Sequence, residues 1–384
     1  KPPHPVPRLA YALAMWVNPN NHALDGGRAS SQMEKEAVAQ IAAMFGWQTH
    51  LGHLCSGGTM ANLEALWVSG RLRPGETIAA SSQAHYTHSR ITQVLQLDFT
   101  PVPVDDRARM DIQALEELLK KGGIGTVVAT MGTTGFGSVD PLGDILELQK
   151  KFNFRIHVDA AYGGYFTLAD SLDPQARAAY DCLTRADSIV VDPHKHGLQP
   201  YGCGCILFQD PGVGALYKHD SPYTYFSSPE LHLGEISLEC SRAGASAVAL
   251  WATLQLLPLA ENGAFASDLD RCRKAAQDLF FRLENDPGFL PLFPPELDIL
   301  VWAPQAATTS RISSLSRELF ERAEKNHLYL ALVNIPAELA RPWWPGVEFD
   351  TPTVACLRSC LMKPEHEEWV GRIWEILQEQ RGKL

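Results

Sequence analysis

Short apolar runs alternate with segments of helical periodicity between residues 77 and 208. The apolar runs are four or five residues long and lie at 77–81, 126–130, 154–158, 188–191 and 204–208. Runs this short, without a polar face, are typical of strands buried between two layers of helices. The alternation therefore predicts an α/β fold with a mostly parallel sheet of about seven strands.

Helical periodicity fills the gaps between these runs. Ser31 and Glu34 match a capping box, which predicts that a helix begins near residue 31 and ends near residue 46. Further helices are predicted from residue 56 through Trp67, around 115–119, near 141–151, near 174–186 and across 240–258.

The chain is too long for one small core, since it has 384 residues. Beyond about residue 262 the composition shifts to charged helices with one short strand at 299–302. We therefore expect an N-terminal arm and helix at 1–45, a large domain at 46–261 and a smaller α/β domain at 262–384.

Charge and hydropathy limit the possible partners. The formal net charge is −11 and no run of lysine or arginine interrupts it, which argues against nucleic-acid binding. No apolar stretch reaches the ~18 residues of a membrane span. The apolar segment 9–17 is short for a signal peptide and is interpreted as an ordered arm. The eight cysteines form no C-x-x-C pair, so free thiols and a cytoplasmic location are expected.

Polar clusters follow several of the predicted strands and helix starts. Residues 56–59, Ser-Gly-Gly-Thr, begin a helix, where glycines and free N–H groups favour an anion, although a plain loop-to-helix turn has the same pattern. Asp159 ends an apolar strand and needs a cationic partner such as a pyridinium N–H, unless it caps the next turn. Lys195 supplies an amine after another strand, either as a Schiff-base lysine or in a salt bridge with Asp192.

Three histidines lie close to these clusters. His85 follows the strand at 77–81 and has a ring that could stack on a planar ligand. His194 and His196 flank Lys195 at a spacing of two, but no third ligand stands at a recognisable distance, so no metal is expected. Anion site, ring-facing histidine, carboxylate and amine together predict a pocket for pyridoxal 5′-phosphate.

The order of the motifs resembles that of a known family. The segments SGGTMANLEAL, AHYTHS, ATMGTTGFGSVDPL, HVDAAYGG and VDPHKHGLQPYGCGCILF resemble those of the group II pyridoxal-phosphate-dependent amino acid decarboxylases. The resemblance covers roughly 45–255, with weaker similarity at His4-Pro5 and Leu357-Arg358. The DPHK form is most similar to the tyrosine/aspartate decarboxylases of archaea and their bacterial relatives. The resemblance implies fold type I of the pyridoxal-phosphate enzymes and a homodimer with active sites at the subunit interface.

The resemblance also implies roles for individual residues. Lys195 would bind the cofactor covalently, Asp159 would pair with its ring nitrogen, and His85 and Ala161 would contact its two faces. The implied cofactor contacts further include Ser56, Gly57, Gly58, Thr59, Thr134, Asp192, His194 and, from the neighbouring subunit, Ser241. Met60 stands where many relatives carry an acidic residue, and Asp192 replaces the asparagine or similar neutral residue of some members. Asp192 is expected to touch the phosphate or, alternatively, to orient Lys195 or His194.

The implied reaction is decarboxylation of an L-amino acid to its amine. The pocket would hold the Cα–carboxylate bond perpendicular to the cofactor ring, and the catalytic residues would be Lys195, Asp159, His85, His194 and Tyr223. Tyr223, or Tyr225 beside it, would return a proton to Cα from a loop at 217–228. Alternatives are a carbon–carbon lyase of the sphingosine-phosphate lyase type and an inactive binding homologue.

The substrate is the least determined part of this prediction. Tyr11, Trp16 and Tyr86 could line a pocket for an aromatic side chain, whereas an acidic substrate needs an additional lysine or arginine. No such cation can be placed from the sequence. An aromatic L-amino acid is therefore preferred, and an acidic one remains an alternative.

Overall fold

The computed structural model describes residues 2–218 and 231–384. Within these residues a sheet of seven strands forms the centre of the fold, in the order β1-β7-β6-β5-β4-β2-β3. Its strands are β1 (Leu51–Cys55), β2 (Thr77–Ser81), β3 (Phe99–Val102), β4 (Ile124–Thr130), β5 (Arg155–Asp159), β6 (Ser188–Val191) and β7 (Gly204–Phe208).

The middle of this sheet is parallel and one side is antiparallel. Strands β3, β2, β4, β5 and β6 pair in parallel, whereas β7 is antiparallel to both β6 and β1. The β4, β5 and β6 residues are almost entirely buried, as expected for strands covered on both faces. Their carboxyl ends therefore meet at one edge of the sheet, where ligands bind in open α/β folds.

Helices surround the seven-stranded sheet. They are α1 (Pro5–Met15), α2 (Leu24–Met44), α3 (Gly58–Leu72), α4 (Thr87–Leu95), α5 (Ile112–Lys120), α6 (Leu142–Lys151), α7 (Pro174–Tyr180) and α8 (Gly244–Leu256). Helix α3 packs on β5, β6 and β7, while α1 and α2 both pack against α8. None of the helices in the described ranges is long and apolar enough to span a membrane.

The C-terminal part of the chain adds a second sheet. Four antiparallel strands in the described residues follow the order β10-β11-β9-β8. The elements are α9 (Ala264–Glu284), β8 (Phe289–Pro291), β9 (Ile299–Pro304), α10 (Thr309–Lys325), β10 (Ala331–Pro336), α11 (Ala337–Ala340), β11 (Thr353–Cys360) and α12 (His366–Arg381).

One hydrophobic cluster connects the two sheets. It contains Ile156 and Val158 of β5, together with Phe265 of α9 and Ile299 of β9. All four side chains are nearly or completely buried. The first sheet and the C-terminal segment therefore share part of their core.

The predicted fold class is confirmed, with a mostly parallel seven-stranded sheet and α/β structure in the C-terminal segment. The predicted strands at 77–81, 126–130, 188–191 and 204–208 appear with their bounds within two residues of those expected. The helix expected near 174–186 is shorter, because α7 ends at Tyr180 and only a short 3-10 turn follows. The predicted domain boundaries at 45/46 and 261/262 remain predictions.

The capping box at Ser31 is wrong. Helix α2 begins at Leu24, with a kink at Gly27, and Ser31 lies inside it as a buried residue. The Glu34 carboxylate does not accept a hydrogen bond from the backbone at the start of a helix, as a capping box requires. Its Oε1 instead accepts hydrogen bonds from the backbone N–H of Leu54 (2.9 Å) and from Arg242 (3.0 Å). The carboxylate that suggested a cap instead connects α2 to two other parts of the chain.

Candidate active site

A cavity of about 350 Å³ lies at the carboxyl ends of β4, β5 and β6. Thr130 and Asp159 are paired neighbours at the ends of β4 and β5, and Asp192 follows β6 directly. Most of the residues that the sequence predicts for the site line this cavity. They are Ser56, Gly57, Gly58, Thr59, His85, Thr134, Asp159, Ala161, Asp192, His194 and Lys195.

The start of α3 forms one wall of the cavity. Gly57 precedes the helix with φ of +154°, a conformation that side-chain-bearing residues rarely adopt, and Gly58 begins it. Asn62 donates a hydrogen bond to the carbonyl oxygen of Gly58 (2.8 Å) and so holds this first turn. The backbone N–H of Ser56 already donates to a carboxylate oxygen of Glu239 (2.9 Å). Free N–H groups, glycines and the helix dipole make this wall suited to an anion such as phosphate.

We expect Gly58→Ala to weaken pyridoxal phosphate binding about tenfold or more. A Cβ atom at Gly58 would lie 2.6 Å from Oδ2 of Asp192, so the added methyl group and the carboxylate cannot both keep their positions. Titration of the cofactor-free protein with pyridoxal phosphate measures the effect. Gly371→Ala is the matched control, because a Cβ atom there meets no atom within 4 Å. Equal affinities for the two variants would contradict this prediction.

Lys195 lies in the turn that follows β6, with its amine directed to Asp192. The Nζ atom is 2.9 Å from Oδ2 of Asp192, and the lysine side chain is 31% exposed. Asp192 itself is buried, and His194 Nε2 lies farther from the same oxygen, at 3.6 Å. Of the two roles considered for Asp192, the contact with Lys195 is present in the structure. The partly exposed amine remains accessible from the cavity.

Asp159 is a buried carboxylate with two donors. Its Oδ2 accepts a hydrogen bond from Nε2 of His88 (2.8 Å), and its Oδ1 accepts one from the backbone N–H of Ala161 (3.1 Å). Burial acts to raise the pKa of Asp159, but the hydrogen bond from His88 and the positive charge of Lys195 hold it well below its ordinary value. The side chain is therefore an anion, as a partner for a protonated ring nitrogen must be.

His85 and Ala161 also line the cavity. Burial lowers the pKa of His85, and the nearby charge of Asp159 only partly opposes this effect. A neutral imidazole is consequently favoured, with a ring that can stack on a planar ligand. Ala161 is 8% exposed and presents only a methyl group, which leaves room for a flat ring.

The residues present fit pyridoxal 5′-phosphate. The glycine-rich start of α3 suits its phosphate, Asp159 its ring nitrogen, Lys195 its aldehyde and His85 its ring face. Asp192 Oδ1, His194 Nδ1 and Thr130 Oγ1 are buried polar atoms without a partner in the described part of the chain, so they are available to a ligand. The cavity volume is in the range usual for cofactor sites.

Comparison with known proteins identifies the family. Residues 60–297 match the family model described as the pyridoxal-dependent decarboxylase conserved domain, which is more than half of the chain. The chain belongs to the pyridoxal-dependent decarboxylase family. Pyridoxal phosphate is therefore the cofactor of this chain, and the predicted family resemblance is confirmed.

Curated relatives are similar over most of the chain. An L-tyrosine decarboxylase of Enterococcus faecium is 28% identical in an alignment that covers 82% of this chain and 69% of that protein. An L-tyrosine decarboxylase of Levilactobacillus brevis is also 28% identical, but only 56% of its length is covered. A probable L-tyrosine/L-aspartate decarboxylase of Methanoculleus marisnigri is 28% identical, with 72% of this chain and 74% of that protein covered.

Solved structures share the fold. The structure of Oryza sativa TDC with PLP and tryptamine has a TM-score of 0.85 and 20% identity, and the match covers 100% of this chain and 82% of that one. Catharanthus roseus tryptophan decarboxylase in complex with L-tryptophan has a TM-score of 0.83 at 16% identity, with the same coverage. At these identities the two matches establish the fold of this decarboxylase-family chain.

Ser241 is the predicted site residue within the described ranges that does not line the main cavity of this decarboxylase-family chain. Ser241 lines a neighbouring cavity of about 240 Å³ with Tyr11 and Arg242, and the two cavities share Ser56. Tyr223 lies outside the described residues, as does Tyr225, so their roles stay predictions. Trp16 and Tyr86 are 91% and 65% exposed, and neither they nor Tyr11 line the described walls of the main cavity.

Sequence reasoning missed several residues that belong to this site. His88 binds Asp159, while Asn62, Thr87, Thr130, Gly132 and Tyr162 line the cavity. His88 stands three residues after His85 in the motif AHYTHS, a spacing that places both on one side of a helical turn. That spacing was the available signal. His196, the other histidine beside Lys195, is buried away from the cavity and contacts Asp298, and no group of three metal-ligating side chains occurs in the described ranges.

Proposed function

We propose that this chain removes the α-carboxylate of an aromatic L-amino acid as CO2 and releases the corresponding amine. The observation that carries the proposal is the presence of three features in one cavity: the amine of Lys195, the ionised Asp159 and the glycine-rich start of α3. Membership of the pyridoxal-dependent decarboxylase family supports the reaction type.

The proposed roles follow from the contacts of each side chain. Lys195 binds the cofactor and gives it up to the substrate amine, and Asp192 orients the lysine through their 2.9 Å contact. Asp159 keeps a proton on the ring nitrogen, while His88 and the Ala161 N–H hold the carboxylate in place. His85 and Ala161 confine the ring from its two faces. Residues 56–59 bind the phosphate, with contributions from Thr134 and His194.

When bound, pyridoxal phosphate supplies an acceptor for the electrons left at Cα by the departing CO2. The protein determines which bond breaks by orienting the substrate. The negative charge of Asp159 stabilises the protonated, positively charged ring nitrogen. A buried anion preorganised by two donors needs little rearrangement during the reaction. Protonation of Cα is assigned to Tyr223, and Tyr225 remains the alternative.

The charge of the cavity supports a neutral substrate side chain. Lys195 is the one lysine or arginine among the described residues that line it, and this amine is committed to the cofactor. An aspartate or glutamate substrate would carry a second carboxylate without a cationic partner, which is unfavourable in a partly buried site. The same lack of a second cation disfavours a carbon–carbon lyase that acts on a phosphorylated amine.

The active unit is proposed to be a homodimer. Helix α1 and the residues after it expose a row of large apolar side chains, which supports coverage by another chain. They are Leu9, Leu13, Met15, Trp16 and Val17. Ser241 and Tyr11, in the cavity that adjoins the main one, would then face the neighbouring subunit, as would the exposed aromatic rings of Trp16 and Tyr86.

Release of CO2 from each of the twenty standard amino acids tests the proposed function. With pyridoxal phosphate present, we expect tyrosine, tryptophan or phenylalanine to react fastest, with one amine formed per CO2. Aspartate and glutamate should react at least about tenfold more slowly in kcat/KM, since their extra carboxylate has no partner in the described cavity. Preference for an acidic amino acid would contradict the substrate class, and absence of CO2 from all twenty would contradict the activity.

A further inference from the structure

Three buried side chains connect the C-terminal sheet to the segments that carry Lys195 and Asp159. Asp298 lies immediately before β9 and is completely buried. Its Oδ2 is 2.8 Å from Nε2 of His196, and its Oδ1 accepts a hydrogen bond from the hydroxyl of Tyr162 (2.7 Å). His196 is the residue after Lys195, and Tyr162 is the residue after Ala161. The carboxylate of Asp298 thus contacts the residue that follows Lys195 and the residue that follows Ala161.

The hydrogen bonds of His196 define its protonation. Its Nδ1 lies 2.9 Å from the backbone carbonyl oxygen of Tyr162, which can only accept, so this nitrogen carries a hydrogen. Its Nε2 faces the carboxylate of Asp298. If that carboxylate is ionised, the second nitrogen also carries a hydrogen and the ring is an imidazolium. Burial acts to raise the pKa of Asp298, but the charge of His196 and the hydrogen bonds from His196 and Tyr162 hold it below its ordinary value.

The surroundings leave this group of residues little freedom to move. The rings of Tyr162 and Phe166 meet the His196 ring edge to face, with centroids at 4.7 Å and 5.0 Å. The backbone carbonyl oxygen of Asp298 accepts a hydrogen bond from the N–H of Leu361 (2.8 Å), which ties it to the end of β11. Because the backbone of His196 is continuous with that of Lys195, any shift of the imidazole also moves the cofactor-binding turn.

We infer that Asp298 is a positioning residue that fixes the turn of Lys195 relative to the cavity wall formed by Ala161 and Tyr162. The inference rests on the proposed role of Lys195 and adds a function for the C-terminal sheet. That sheet supplies no lining residue to the described cavity, yet through Asp298 it sets the position of two of the walls.

Comparing Asp298→Ala with Asp298→Asn distinguishes the effect of the Asp298 hydrogen bonds on geometry from the effect of its negative charge. In Asp298→Ala both contacts are lost, and Nε2 of His196 and the Tyr162 hydroxyl are left buried without their partner. In Asp298→Asn the amide nitrogen donates to Nε2 of a neutral His196, and the amide oxygen accepts from Tyr162. The asparagine variant therefore keeps the geometry and removes the charge pair.

Titration of each cofactor-free variant with pyridoxal phosphate is the primary measurement, and kcat and KM are measured on the loaded protein. We expect Asp298→Ala to raise the Kd for pyridoxal phosphate about tenfold or more and to lower kcat, while Asp298→Asn restores both to within about threefold of the original chain. Asp278→Ala, on the exposed face of α9 and paired with Arg282, is the control and should change neither.

Several outcomes would overturn the inference. An unchanged Kd in Asp298→Ala would do so, and an Asp298→Asn variant as impaired as Asp298→Ala would show that charge, and not position, matters. If Asp298→Ala does not fold, Tyr162→Phe removes only one hydroxyl, and a Kd identical to that of the original chain would overturn the inference. An original chain that binds no pyridoxal phosphate would instead contradict the proposed function.

Discussion

Lys195→Ala is expected to abolish covalent attachment of pyridoxal phosphate and to lower kcat by about 10³-fold or more. The amine of Lys195 is the one lysine nitrogen among the described cavity residues, and it is held toward the cavity by Asp192 at 2.9 Å. Borohydride reduction of the loaded protein, digestion and peptide mass spectrometry locate the attached cofactor. The original chain should carry it on the peptide that contains Lys195.

Lys150→Ala is the matched control for this experiment. Lys150 is exposed on α6 and pairs with Glu147 (2.6 Å), so its loss should change neither cofactor attachment nor rate. A pyridoxyl group on another lysine of the original chain would show that Lys195 is structural, paired only with Asp192. Full activity of Lys195→Ala would lead to the same conclusion.

Asp159→Asn should keep cofactor binding while lowering kcat by about 10³-fold. The phosphate wall at the start of α3 is separate from β5, so affinity for the cofactor is largely retained. A neutral amide cannot hold a proton on the ring nitrogen as an anion does, so the cofactor would be a weaker electron acceptor in the bond-breaking step. The dissociation constant of the cofactor and kcat, measured on the same preparation, test both parts of the prediction.

Asp181→Asn provides the comparison, since Asp181 is exposed and contacts only Arg177 among the described ion pairs. Near-normal turnover of Asp159→Asn would mean that Asp159 serves to cap the turn through the N–H of Ala161. Loss of cofactor binding together with activity would mean that the carboxylate holds the cavity together.

The parts of the fold that sequence reasoning predicted are those determined locally. Strands β2, β4, β6 and β7 are short and mainly apolar, so their pattern alone identifies them. Strand β1 was missed because it contains the polar residue His53, whose Nε2 lies 3.0 Å from Oε2 of Glu64 on α3. A polar residue whose hydrogen-bond partner is distant in sequence interrupts the apolar pattern, so the strand that contains it is not recognised from the sequence.

The site shows the same division. Gly58, Asp159 and Lys195 follow the expected strand ends or helix start, where position in the element determines exposure to a ligand. The contact of His88 with Asp159 depends on the distance between α4 and β5, which no spacing along the chain defines. Glu34 was misassigned as a cap for a related reason, since its partners Leu54 and Arg242 are far away in sequence.

The hydrophobic cluster shared by the two sheets has a consequence for fragments of this protein. Ile156, Val158, Phe265 and Ile299 are buried against a common interior, so cutting the chain near residue 262 would leave apolar surface of both pieces in water. Each piece would then lose part of the packing that buries these side chains. The predicted boundary would thus be a poor place for truncation, and the catalytic sheet would depend for its solubility on residues that never approach the cofactor.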